Sequence, residues 1–175
     1  RRQRQMCIRD SYKHCIICYD NLGGEAIVNA NLVVNNAAGY YGGISGAICR
    51  WTDSWMTLRV NGDIFAENQF GVYGLGSSAA SRTVITGDVR TNNLVAYTAS
   101  NSSVVFRNGT LMNWNTTTGS EGYPILSVGG SGKYFVDNCQ MFSLGDGVTY
   151  PNIAAFWKDT TTSEINVYNT IHSGL

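Results

Sequence analysis

The chain has 175 residues, 43% hydrophobic and only 14% charged, with 20 Gly, 2 Pro and 12 each of basic and acidic residues. That length suits one domain with a buried core. Low charge, abundant glycine and a polar remainder of Asn, Ser and Thr exclude a coiled coil, a charged disordered tail and an ordinary helical bundle. No apolar run reaches the ~18 residues of a transmembrane helix, so this segment is not expected to insert into a membrane.

Residues 1–10, Arg1-Arg2-Gln3-Arg4-Gln5-Met6-Cys7-Ile8-Arg9-Asp10, resemble the translated reading frame of a transposase-based sequencing-library adapter. The alternative is a basic arm of the kind that binds nucleic acid. A non-native segment is set aside before fold reasoning. Four of the 12 bases and one of the 12 acids go with it, leaving 8 and 11 and a net charge of −3. Such a domain lacks clustered Lys and Arg to neutralise phosphates, so no nucleic-acid partner is expected. Residues 11–175 read as one domain truncated at both ends, an internal fragment of a longer, metagenomic reading frame.

Cys15-Ile16-Ile17-Cys18 is a C-x-x-C. A zinc site needs two more ligands at matching spacing. There is no second C-x-x-C, and His14 and His172 are the only histidines. Residues three apart on a strand face opposite sides. The pair therefore reads as small apolar residues of a first coil, and no metal or cofactor is expected. Cys49 and Cys139 read as buried hydrophobes.

From Ile27 onward the chain repeats. Segments beginning at Ile27, Arg59, Val84, Phe106, Val136 and Val167 align without gaps on anchors Ala30, Gly62, Gly87, Gly109, Cys139 and Thr170, spaced 32, 25, 22, 30 and 31. Before the anchor stand Asn29, Asn61, Thr86, Asn108, Asn138 and Asn169. Two after it stand Leu32, Ile64, Val89, Leu111, Met141 and His172. Six after it stand Asn36, Asn68, Asn93 and Asn115, then Gly145. Second apolar patches follow at 44–49, 72–75, 94–97, 125–128 and 154–157, with small polar segments returning the chain. This predicts an all-β, right-handed parallel β-helix of about six coils of 22–32 residues. Stacked Asn side chains would form amide ladders between coils.

One phase irregularity stands out. Leu58 and Val60 lie four and two before their anchor, whereas Val104 and Phe106 lie five and three before theirs. A one-residue slip flips the faces, so a bulge is expected there. The alternative is an internal ladder of Asn108, Asn138 and Asn169.

Two motifs point to a family. Phe65-Ala66-Glu67-Asn68 is an F-x-x-N, and Gly42-Gly43-Ile44-Ser45-Gly46-Ala47-Ile48 is a degenerate G-G-A-I. In this order they resemble the passenger domains of polymorphic outer-membrane proteins and autotransporter-like bacterial adhesins. One pair is recognisable, and later coils keep only the Asn. The resemblance implies an extracellular or cell-surface structural and binding segment, with a host surface or a glycan as partner, and brings no catalytic residues.

The other reading is an enzyme: a polysaccharide lyase or hydrolase, or a phage tailspike. Asp63 and Asp88 both stand one after their anchors and would be neighbours on adjacent coils. Glycoside hydrolysis uses two carboxyls ~5–10 Å apart. Asp after Gly also simply favours a turn, and no Lys, Arg or His column completes a site. Binding is expected instead at corner insertions 37–43, 116–124 and 146–152, which carry Tyr40, Tyr41, Glu121, Tyr123, Asp146 and Tyr150, with Trp114 just before the second. Insertions from one corner collect on one edge of a solenoid. Aromatics beside carboxylates suit sugar or protein surfaces.

Overall fold

The computed structural model describes residues 16–19, 24–34, 46–52, 56–66, 70–76, 80–91, 94–114, 125–143, 156–158 and 160–173. Among these every regular element is a strand, and the strands form three six-stranded parallel sheets. Sheet I holds β1 (Ile16–Tyr19), β4 (Gly46–Thr52), β7 (Phe70–Gly76), β10 (Leu94–Ser100), β13 (Leu126–Val128) and β16 (Phe156–Lys158). Sheet II holds β2 (Gly24–Asn29), β5 (Met56–Asn61), β8 (Arg82–Thr86), β11 (Ser103–Arg107), β14 (Lys133–Asp137) and β17 (Glu164–Tyr168). Sheet III holds β3 (Leu32–Val34), β6 (Ile64–Ala66), β9 (Val89–Thr91), β12 (Thr110–Asn113), β15 (Gln140–Ser143) and β18 (Ile171–Ser173).

Each strand pairs with the strand three places on, so every coil contributes one strand to each sheet. This is the expected parallel β-helix of six coils. Five rung steps of ~4.8 Å give a rod about 24 Å tall. The repeat phase fixes the register. Leu32, Ile64, Val89, Leu111, Met141 and His172 are successive partners along sheet III. The first five of these are buried. Sheet II turns Leu58, Val60, Ile85, Val104, Phe106 and Val136 inward, and sheet I adds Ile48, Val72, Ala96 and Leu126. Short β-branched strands pack this way because alternate residues point into the pleat's core side. Asn68, Asn93 and Asn115, residues 1–10, Cys15 and the side chains of Cys18 and Cys49 lie outside the described residues. Cys139 is buried, as expected, and burial pushes its thiol above the ordinary value.

The phase irregularity is absorbed at a corner. Thr86 pairs with Arg107, 21 residues on, whereas Val89 pairs with Leu111, 22 residues on. Between these paired positions coil four thus holds three residues, 108–110, where coil three holds two, 87 and 88. The extra residue is Asn108, in the left-handed region at φ 55°. Asn138 and Asn169 repeat it at φ 53° and 47°. Asn adopts this backbone more readily than other non-glycine residues. Val104 and Phe106 therefore still face inward, without a bulge inside a strand. The internal asparagine ladder is overturned: all three side chains are exposed. The left-handed turn sends them outward, where Asn138 Nδ2 donates to Asn108 Oδ1 at 2.9 Å.

The interior is not wholly apolar. At the corner from sheet I to sheet II, Arg50, Thr83, Thr98 and Ser102 are buried. Arg50 Nε donates to Thr83 Oγ1 at 2.8 Å. Thr98 and Ser102 hydroxyls both reach the Gly74 carbonyl, at 3.1 and 3.0 Å. Gly74 leaves the room they need, since a Cβ there would stand 3.2 Å from Val104 Cγ2 and 3.3 Å from Arg50 Nη2. Buried polar groups are tolerated when paired in this way.

Candidate binding face on sheet III and its corner

The outward positions of sheet III follow from strand alternation. One residue after each inward anchor-plus-two position stand Val33, Phe65, Arg90, Met112 and Phe142, successive partners up the rod. Val33 is 75% exposed and Phe65 40%. Apolar side chains of this size, contiguous on an outer face, are a feature to be explained. Arg90 interrupts the stripe in coil three.

The corner between sheets II and III sits beside this stripe. Here the backbones of neighbouring coils nearly touch. A Cβ on Gly87 would fall 2.6 Å from the Gly62 carbonyl oxygen, and one on Gly109 would fall 1.9 Å from that of Gly87. Only glycine fits. The close approach lets side-chain oxygens of one coil reach the amides of the next. Asp63 N–H donates to Asn31 Oδ1 at 2.9 Å, Asp88 N–H to Asp63 Oδ1 at 2.9 Å, and Thr110 N–H to Asp88 Oδ1 at 2.8 Å.

Asp63 and Asp88 are therefore neighbours, as their column position predicts, and each accepts an amide from the coil that follows. Asp88 Oδ2 also accepts Arg90 Nη2 at 2.5 Å. Partial burial raises the Asp88 carboxyl, but the Thr110 amide and the Arg90 guanidinium outweigh it and hold the group below its ordinary value. Asp88 is a fixed carboxylate at neutral pH.

The ion pair draws the Arg90 head towards the corner. Across the intervening rung, Trp114 of coil four stacks on Phe65 of coil two, with centroids 5.1 Å apart and planes at 29°. Trp114 follows the last residue of β12, and its amide donates to the Thr91 carbonyl at 2.9 Å. Arg90 is the register partner of Phe65, so the ring stack and the ion pair lie on adjoining rungs of the same outer face. Among the described residues no cluster of His, Cys, Asp and Glu could hold a metal ion.

The three long insertions all connect a sheet III strand to a sheet I strand, so they share one corner of the coil. Tyr40, Tyr41, Glu121, Tyr123, Asp146 and Tyr150 themselves lie outside the described residues. Sequence reasoning missed Phe65 and Arg90 as surface residues. The signal was present as the position after each inward anchor-plus-two residue. The Phe65–Trp114 contact has no such signal, because it crosses two rungs. Comparison with family models, with curated proteins and with solved structures finds no match to this chain.

Proposed function

We propose that this chain is a structural and binding segment of a secreted or cell-surface, adhesin-like β-helix protein, with a glycan or a host surface as partner. The hydrogen bonding of Asp63 and Asp88 carries this reading over the polysaccharide-cleaving one. Hydrolysis by a carboxyl pair needs both groups turned to the substrate, one to protonate the leaving oxygen and one to attack or to activate water. Here Asp63 Oδ1 accepts the Asp88 amide, Asp88 Oδ1 accepts the Thr110 amide, and Asp88 Oδ2 is paired with Arg90. Both carboxylates act in the corner ladder that holds coils two to four together. The balance of charge beyond residue 10 disfavours nucleic acid. No helix among the described residues is long and apolar enough to cross a membrane.

The test is adhesion and cleavage side by side. Beads coated with the chain should adhere to glycan-bearing surfaces. Soluble polysaccharides incubated with it should release neither reducing ends nor unsaturated products. Cleavage that disappears with Asp63→Asn or Asp88→Asn would establish the enzyme instead.

A further inference from the structure

We propose that Phe65, Trp114 and the Asp88–Arg90 pair form a saccharide-binding platform on the outer face of sheet III, taking a neutral polysaccharide chain laid along the rod axis. The proposal rests on the binding-segment reading and names its ligand class and site.

Three observations carry it. The aromatic pair is stacked outside the core, with Phe65 exposed and Trp114 half-buried. Aromatic faces outside a core serve apolar, flat ligand surfaces, and the C–H face of a pyranose is one. Arg90, the register partner of Phe65, forms with Asp88 a guanidinium–carboxylate pair whose side chains are 49% and 25% exposed. Arg90 keeps further N–H donors in a planar fork, and such groups hydrogen-bond adjacent hydroxyls. A purely apolar protein partner would have to desolvate that ion pair, at a cost the contact does not return. The pair is also electrically balanced, so it offers nothing extra to a polyanion. Finally, Val33, Met112 and Phe142 continue the column over coils one to five at ~4.8 Å per rung. A pyranose unit is about one rung long, so a chain along the axis meets successive rungs in step.

Neutral glucan, mannan and xylan oligosaccharides are titrated into the full chain by calorimetry and tryptophan fluorescence, with oligogalacturonate as the anionic comparison. At least one neutral oligosaccharide should bind and shift the tryptophan emission. Phe65→Ala and Trp114→Ala should each weaken it on the order of tenfold. Asp88→Asn should also weaken it, since Asn keeps the oxygen for the Thr110 amide but loses the pair with Arg90. Arg82→Ala, on the outer face of sheet II, should bind as the parent does. Circular dichroism melts check each fold, and Trp114→Phe replaces Trp114→Ala if the latter melts early. Binding to none of the neutral oligosaccharides, tighter binding to oligogalacturonate, or undiminished binding by well-folded platform variants each overturns the platform. Adhesion to glycan surfaces that survives these substitutions overturns it while leaving the binding-segment reading intact.

Discussion

Asn31, Asp63 and Asp88 occupy one column and do the same thing with different chemistry. Each offers an oxygen to the amide of the following coil. What the corner requires is an acceptor, and a neutral amide or a carboxylate can supply it. Asp88→Ala should therefore lower stability by about 1–2 kcal/mol, the effect of leaving one amide unpaired. Asp88→Asn should cost clearly less in the same urea titration. Equal losses would show that charge, not the acceptor, matters. The carboxyl also sets a pH dependence. Its value in the folded chain is depressed, so the stabilisation is fully present above the unfolded carboxyl value of about 4. It is lost as pH falls through the lower folded value. The Lys133–Glu164 pair acts in the same direction, because its hydrogen bond lowers the Glu164 carboxyl. In Asp88→Asn the acid-side decline should be shallower than in the parent.

Strands this short hold their place through the columns they join. Leu111 lies fully buried between Val89 and Met141. Leu111→Ala should cost about 2–5 kcal/mol by the cavity it leaves. Val33→Ala, on the opposite side of the same sheet, should stay within about 0.5 kcal/mol. Urea midpoints for the two variants decide whether the inward and outward assignment of sheet III holds. The column is legible in the residues alone because apolar side chains recur at one phase through changing spacings. The slip at coil four is legible for the same reason. Its resolution is not: an asparagine serves equally in an amide ladder inside or in a left-handed turn outside. Only the backbone angle at Asn108 separates the two. The adjacency of Asp63 and Asp88 is legible from their column, but their role depends on the amides within reach. The Arg90–Asp88 pair stands two residues apart at one strand end and could have been read. The Phe65–Trp114 contact joins coils two and four across the rung of Arg90, which no pattern of residue types announces.

The whole rod is a stack in which each coil touches mainly its neighbours, so stability adds rung by rung. Central coils have partners above and below, and terminal coils on one side only. Hydrogen exchange should show the slowest amides in β8, β9, β11 and β12, with protection falling towards β2 and β17. Uniform protection would mean that the stack opens as one unit. The interior also contains a ring stack of Phe106 on Tyr134, with centroids 6.3 Å apart, and the Tyr134 hydroxyl donates to the Ser127 carbonyl at 2.9 Å. Burial raises that phenol well above its ordinary value. The unequal corners have a kinetic meaning as well. Every rung is closed by joining residues only 21 to 32 apart, however many coils the rod contains. Search distance therefore does not grow with length. The tightest closure joins β8 to β11, and closing the widest instead costs only about 0.4 kcal/mol more in chain entropy. Folding of such a chain is governed by the first pair of coils to meet. Once they have met, their unpaired amide rows offer templates on both sides, and the remaining coils can wind on outwards from whichever pair forms first.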